Sequence, residues 1–148
     1  GYPKVNYYRE QARAAGVAGR MTFTGKISYD DAPNYLALGD LAVSAKVSTT
    51  EGSGKVLNYM AMAQPVVASD TPVHREYLDT LGIYGPPGEA AGLAKGIEAL
   101  LQDPQRARSI GQALRARAAT RYSWLKAGQR IDGIYRRLVE RPGRAEGA

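Results

Sequence analysis

The segment Pro65-Val66-Val67-Ala68-Ser69 restricts the fold more than any other part of this sequence. Its apolar residues run without alternation, whereas a strand with one wet face alternates apolar and polar positions. An unbroken run of this length suits a strand covered on both faces, as in a parallel sheet sandwiched by helices. Shorter strand-like pieces lie at Met21-Thr22-Phe23-Thr24, Leu41-Ala42-Val43-Ser44 and Gly82-Ile83-Tyr84. Helical patterns cover residues 4–15, 28–38, 55–63, 72–78, 89–101, 104–122 and 124–140. Strands alternating with helices predict an α/β fold: an incomplete doubly wound, Rossmann-like parallel sheet with flanking helices.

Local signals set the boundaries. Gly16 stands where a helix C′ glycine belongs, and Ser28 is a good N-cap with Asp30 and Asp31 in the following turn. Ser123 caps the last helix, whose Trp124, Ala127, Ile131, Ile134, Tyr135 and Leu138 share one face. Residues 1–140 read as one domain, and 141–148, rich in glycine and charge, as a flexible tail.

Composition removes several chemistries. The 148 residues include no cysteine and a single histidine, His74. Neither a disulfide framework nor a thiolate metal site is available, and no metal or other cofactor is expected. No stretch approaches the roughly 20 apolar residues of a membrane span, and the first residues lack a signal-peptide core, so the expected location is cytoplasmic. The net charge of +6 is uneven. Residues 1–103 carry 9 basic and 11 acidic side chains, whereas 104–148 carry 11 basic and 3 acidic. This Arg-rich end reads first as a solvated helix face; it also suits an acidic partner or an anionic membrane surface. Nucleic acid is not expected, because no recognition motif accompanies the charge. Tyr2, Tyr7 and Tyr8, interleaved with Lys4 and Arg9, read as helix-packing residues.

In open parallel sheets ligands sit beyond the carboxyl ends of the strands. That rule selects residues 25–28, 46–54 and 70–72. The second loop carries Ser48-Thr49-Thr50-Glu51-Gly52-Ser53-Gly54-Lys55-Val56-Leu57-Asn58. Its small residues admit a ligand to the backbone just where a helix begins, and the free N–H groups and dipole there favour an anion. Lys55 adds a positive charge, so a pyrophosphate fits Gly54, Lys55 and Val56. Glu51 is placed to accept hydrogen bonds from sugar hydroxyls, and Asn58, one turn on, to reach a ribose. The bland alternative is a merely flexible Gly-Ser-Gly loop. A P-loop is ruled out, since Thr49 and Val56 occupy its first glycine and its hydroxyl position. His74 and Arg75, after Asp70-Thr71-Pro72, read as surface or helix-packing residues.

Glu51-Gly52-Ser53-Gly54, the helix with Met60-Ala61, and Pro65-Val66-Val67-Ala68-Ser69 occur here in the order found in group 1 retaining glycosyltransferases. Arg20 to Gly25, Leu36 to Ser44, and Leu93 to Trp124 resemble further pieces of that family. The resemblance covers nearly the whole chain and implies the C-terminal, nucleotide-sugar-binding half of a GT-B architecture. It implies Glu51 as the catalytic residue, contacting the donor sugar and helping to stabilise charge as the leaving group departs, and the amides of Gly52, Ser53, Gly54 and Val56 around the phosphates. Gly25, Lys26 and Ile27 fall where the family holds the base. Asn58 stands in place of a second glutamate on the ribose, one residue closer to Glu51 than the usual spacing. The family's upstream Arg and Lys and its N-terminal acceptor domain lie outside this sequence, so the chain alone is expected to be inactive. The implied activity is hexosyl transfer, with retention, from a nucleoside-diphosphate sugar to a glycan or lipid-linked acceptor, as in polysaccharide biosynthesis. The competing reading is a non-catalytic α/β interaction module that docks an acidic partner or membrane through its Arg-rich helices, and peripheral attachment at the inner membrane face suits either.

Overall fold

The computed structural model describes residues 4–140; the tail expected to be flexible, 141–148, lies outside the described residues. The chain divides into two compact units, Gly1–Leu38 and Gly39–Ala148.

In the first unit, α1 spans Val5–Ala14. It ends as the sequence predicts, with Gly16 at φ 70°, its N–H donating to Arg13 and the N–H of Val17 to Ala12. A 3-10 turn, Ala18–Arg20, follows. The expected strand at 21–24 does not form. Strand propensity alone does not hold an extended segment; a ladder partner is required, and this unit contains no other strand among the described residues. The next helix, α2, is shorter than expected, Ala32–Leu36. Ser28 Oγ does accept from the N–H of Asp31, but the helix starts only where Pro33 falls in its first turn, since a proline further inside would forfeit a ladder bond. Tyr7 and Tyr8 stack edge-on at 5.3 Å but are both 55% exposed, against the expected packing role.

The second unit holds the sheet. β1 (Ala42–Ser44), β2 (Val66–Ser69) and β3 (Ile83–Gly85) lie in the order β1-β2-β3. Both pairings are parallel, with Ala42 opposite Val66, Ser44 opposite Ala68, Val67 opposite Ile83 and Ser69 opposite Gly85. Every residue of β2 is buried, as its unbroken apolar run requires. Val66 and Ala68 join Val56 and Met60 of α3 (Gly54–Ala61), Leu78 of α4 (Pro72–Leu78) and Leu114 of α6 (Pro104–Arg121) in one cluster. Val67 faces the other way, with Leu93, Ile97 and Leu100 of α5 (Ala90–Gln102). Each fully buried valine or leucine contributes roughly 1.5–3 kcal/mol, so covering both faces is what fixes the central strand. A Cβ on Gly96 of α5 would lie 2.9 Å from Val67 and Ile83 methyls, so the helix backbone rests directly on the sheet.

Helix starts follow the chemistry of their caps. Thr71 accepts from the N–H of His74 before α4, and Asp103 from Arg106 before α6, each with proline in the first turn. Ser123 accepts from Lys126 before α7, Trp124–Val139. None of the residues of α7 is buried: Trp124 is 91% and Leu138 57% exposed. No helix among the described residues is long and apolar enough to cross a membrane.

Candidate functional site

Because all three strands run parallel, their carboxyl ends, Ser44, Ser69 and Gly85, lie along one edge. The loop 45–53 leaves β1 at this edge and ends at the start of α3. Here Ser53 occupies the N-cap position but makes no cap hydrogen bond, unlike Thr71, Asp103 and Ser123 at theirs. Gly54 and Lys55, the first two helical residues, have no carbonyl behind them within the helix. Both are exposed. The start of α3 is thus left open to an anion. The N–H of Val56 is engaged, donating to the Ser53 carbonyl at 2.9 Å, and its side chain is buried. Among the expected phosphate contacts, Gly54 and Lys55 present amides and Val56 does not.

The loop is closed by Lys46, a residue the sequence did not single out. Its ammonium group lies 2.8 Å from a carboxylate oxygen of Glu51 and donates to the carbonyls of Glu51 (3.4 Å) and Gly52 (3.3 Å). The N–H of Glu51 donates to Ser48 Oγ at 3.3 Å. The hydrogen bond and charge of Lys46 hold the Glu51 carboxyl below its usual range, so Glu51 is an anion at neutral pH, with a side chain 74% exposed. On the other side, a Cβ at Gly52 would meet the Tyr77 hydroxyl at 3.2 Å.

Beneath this loop lies a buried polar knot centred on His74. Its Nδ1 is 2.7 Å from the Ser69 carbonyl, an acceptor only, so Nδ1 carries the proton and Nε2 accepts from the Ser44 hydroxyl at 2.8 Å. Thr71 Oγ1 is 3.0 Å from Nδ1 and accepts from the His74 N–H. The ends of β1 and β2 and the start of α4 are thereby pinned together. Burial pushes the imidazole below its ordinary value; the Ser69 bond opposes this, and the nearby positive charges of Lys55 and Lys46 reinforce it. Lys46 follows the end of β1 by two residues and Lys55 is the second residue of α3, so both flank the 47–54 loop. The helix-packing reading suits His74. Arg75 is a surface residue, paired bidentately with Asp70 at 2.7 and 2.8 Å and stacked 3.7 Å over the Tyr84 ring. Burial drives the Tyr84 hydroxyl up to about 12; it donates to the Asp79 carbonyl.

Asn58 is exposed on α3 and lines a groove of ≈ 330 Å³ with Leu57, Ala61, Arg115, Tyr122 and Trp124, between α3, α6 and the start of α7. Gly25 (φ 69°), Lys26 and Ile27, read from the sequence as the base contacts, belong to the first unit. Lys46 and Tyr77 escaped the sequence reading because each reaches the loop through a fold contact and not through spacing.

The second unit is therefore a parallel α/β layer with an uncapped helix start, two lysines and an ionised glutamate around the loop that leaves β1. Residues 1–103 match the family model described as glycosyl transferases group 1, and the chain belongs to that family, as a C-terminal domain of the GT-B architecture. It is 34% identical over 128 residues to an alpha-D-kanosaminyltransferase of Streptomyces kanamyceticus, covering 84% of this chain and 33% of the relative. Against a phosphatidyl-myo-inositol mannosyltransferase of Mycobacterium leprae the identity is 30% over 130 residues, covering 84% and 34%. The chain thus spans about a third of the length of the curated relatives it matches. Anabaena HepE, solved in complex with UDP, shares the fold with a TM-score of 0.82 and 24% identity over 91% of this chain and 38% of that one. A second structure of HepE holds UDP-glucose.

Proposed function

We propose that this chain binds the nucleoside-diphosphate part of a sugar donor and supplies the donor half of a hexosyltransferase acting with retention. The observation that carries the reading is the uncapped start of α3, with its Gly54 and Lys55 amides, and Lys55 and Lys46 flanking the 47–54 loop. The diphosphate rests there, and ionised Glu51 accepts hydrogen bonds from the sugar hydroxyls. In the transfer, the bond from the anomeric carbon to the diphosphate oxygen breaks, the acceptor oxygen bonds the same face of that carbon, and the acceptor proton leaves with the diphosphate. Positive groups around the departing phosphate oppose the charge that develops on it. The family and the nucleotide complexes of HepE support this reading. Asn58, on α3, is proposed for the ribose. Titration calorimetry with UDP and GDP tests it. At least one nucleotide binds, and Lys55→Ala weakens binding by about five- to tenfold, the worth of one charge-assisted contact. No heat from either nucleotide at millimolar concentration overturns the reading.

A second reading, peripheral attachment to an anionic membrane from the cytoplasmic side, is favoured by α7. Its exposed Trp124, Ile131, Ile134, Tyr135 and Leu138 lie beside Lys126, Arg130 and Arg137, the pattern of an interfacial helix. Sedimentation with vesicles containing phosphatidylserine would be lost on replacing these three basic residues by glutamine and kept in Glu51→Ala. Equal binding to neutral vesicles would rule it out.

A further inference from the structure

We propose that Lys46 is a positioning residue for the donor sugar, holding Glu51 and the Glu51–Gly52 peptide in the geometry that receives the sugar hydroxyls. This deepens the donor-binding reading and rests on it.

The argument is one of geometry. Lys46 sits two residues beyond the end of β1, whose last residue, Ser44, is fixed by His74. The base of the Lys46 side chain is therefore anchored to the rigid edge of the sheet. Its three ammonium protons meet three oxygens: the Glu51 carboxylate at 2.8 Å and the carbonyls of Glu51 and Gly52 at 3.4 and 3.3 Å. A lysine has three donors and no acceptor, so this set uses the whole group. The two carbonyls matter as much as the ion pair. They turn the 51–52 and 52–53 peptides toward Lys46, while the Tyr77 hydroxyl stands on the side where a Gly52 Cβ would project.

Without Lys46, Glu51 is a mobile exposed carboxylate, free to sample rotamers that do not face the donor. An exposed ion pair by itself is worth little; what Lys46 adds is the orientation of a group that would otherwise be ordered only at the cost of side-chain entropy when sugar binds. The lowered pKa of Glu51 agrees with this pairing. Lys46 also carries charge that any diphosphate would feel, and the two roles separate cleanly. Loss of charge weakens a nucleoside diphosphate and its sugar ester alike, whereas a misplaced Glu51 weakens only the ester.

The test is calorimetry with UDP and UDP-glucose on the chain and on Lys46→Met, Lys46→Arg, Glu51→Gln and the Lys46→Met/Glu51→Gln pair. The quantity read is the ratio of the UDP-glucose Kd to the UDP Kd. Lys46→Met raises that ratio by about fivefold, as loss of one well-oriented charge-assisted contact does. Glu51→Gln raises it similarly, and adding Lys46→Met to Glu51→Gln changes it no further. Lys46→Arg keeps the charge but, unable to place one compact donor cluster on three oxygens, still raises the ratio. In parallel, carboxyl-detected NMR finds the Glu51 titration moved upward in Lys46→Met. An unchanged ratio, with both ligands weakened equally, would make Lys46 a simple phosphate ligand and overturn the proposal while leaving the donor site standing. Additive effects in the double variant would also overturn it. If the parent chain binds GDP and not UDP, the same ratio is read with GDP-glucose and GDP; binding of neither nucleotide would remove the donor site and the proposal together.

Discussion

Replacing Ala63 by glycine will stabilise this protein. Helix α3 ends in a turn in which the N–H of Gln64 donates to Tyr59 and that of Ala63 to Met60, both at 3.0 Å. This is the Schellman arrangement, which places the C′ residue in the left-handed region, and Ala63 sits there at φ 56°. The end of α1 makes the same pair of bonds, with Gly16 in the corresponding place at φ 70°. An L-residue with a Cβ pays about 1–2 kcal/mol in that region. Glycine avoids this but loses roughly 0.5–1 kcal/mol in chain entropy, and the half-buried methyl of Ala63 is worth a few tenths more. The net gain is about 0.5 kcal/mol, or roughly 1–2 °C in Tm for a chain of this size. Urea unfolding followed by circular dichroism, alongside a thermal melt, measures both. A midpoint unchanged or lowered in Ala63→Gly, with the m-value constant, would refute the reasoning by showing that the turn carries no strain.

Other outcomes follow from the same contacts. Gly111→Ala would set a Cβ 1.9 Å from the Ala63 carbonyl oxygen; the α6 backbone meets the turn that ends α3 there, so a loss of about 3 kcal/mol is expected in urea unfolding. Arg117 donates to the carbonyls of Tyr77 and Glu76 and pairs with Asp79 at 3.0 Å, closing the end of α4. Arg117→Met should therefore cost about 2 kcal/mol, seen as a lower urea midpoint. His74, the single histidine, has a native pKa below its usual value. The unfolded chain therefore takes up a proton first as pH falls below about 6.5. Stability is full above that pH and declines from there down to the native pKa. His74→Gln, tested by urea midpoints between pH 8 and 5, is less stable throughout but lacks that histidine-dependent decline.

Where a few residues decide an element on their own, the sequence was enough to read it. The non-alternating run at Val66–Ser69 is buried on both faces, and α4 and α6 begin at Pro72 and Pro104, where the sequence reading started them. The 52–55 turn was legible for the same reason, since small residues before a helix are a local signal. What depended on partners was not. Met21 to Thr24 have strand residues, but their unit holds no other strand among the described residues, and Ser28 capped a turn that Pro33 kept from becoming a helix there. Lys46 reaches Glu51 only once the loop folds back, and His74 becomes a hub only when Ser44, distant in sequence, is brought to its Nε2. The apolar stripe of α7 was correctly seen as a stripe, but its exposure could not be read from its spacing.

The most direct test of the donor site follows backbone amides by ¹⁵N-correlated NMR while UDP is titrated into the chain, with uridine as the diphosphate-free control. The account predicts that UDP shifts the amides of Gly54 and Lys55 and their neighbours from Gly52 to Leu57, saturably, and that uridine leaves them in place. Still amides at Gly54 and Lys55, with saturable shifts gathered elsewhere, would contradict it.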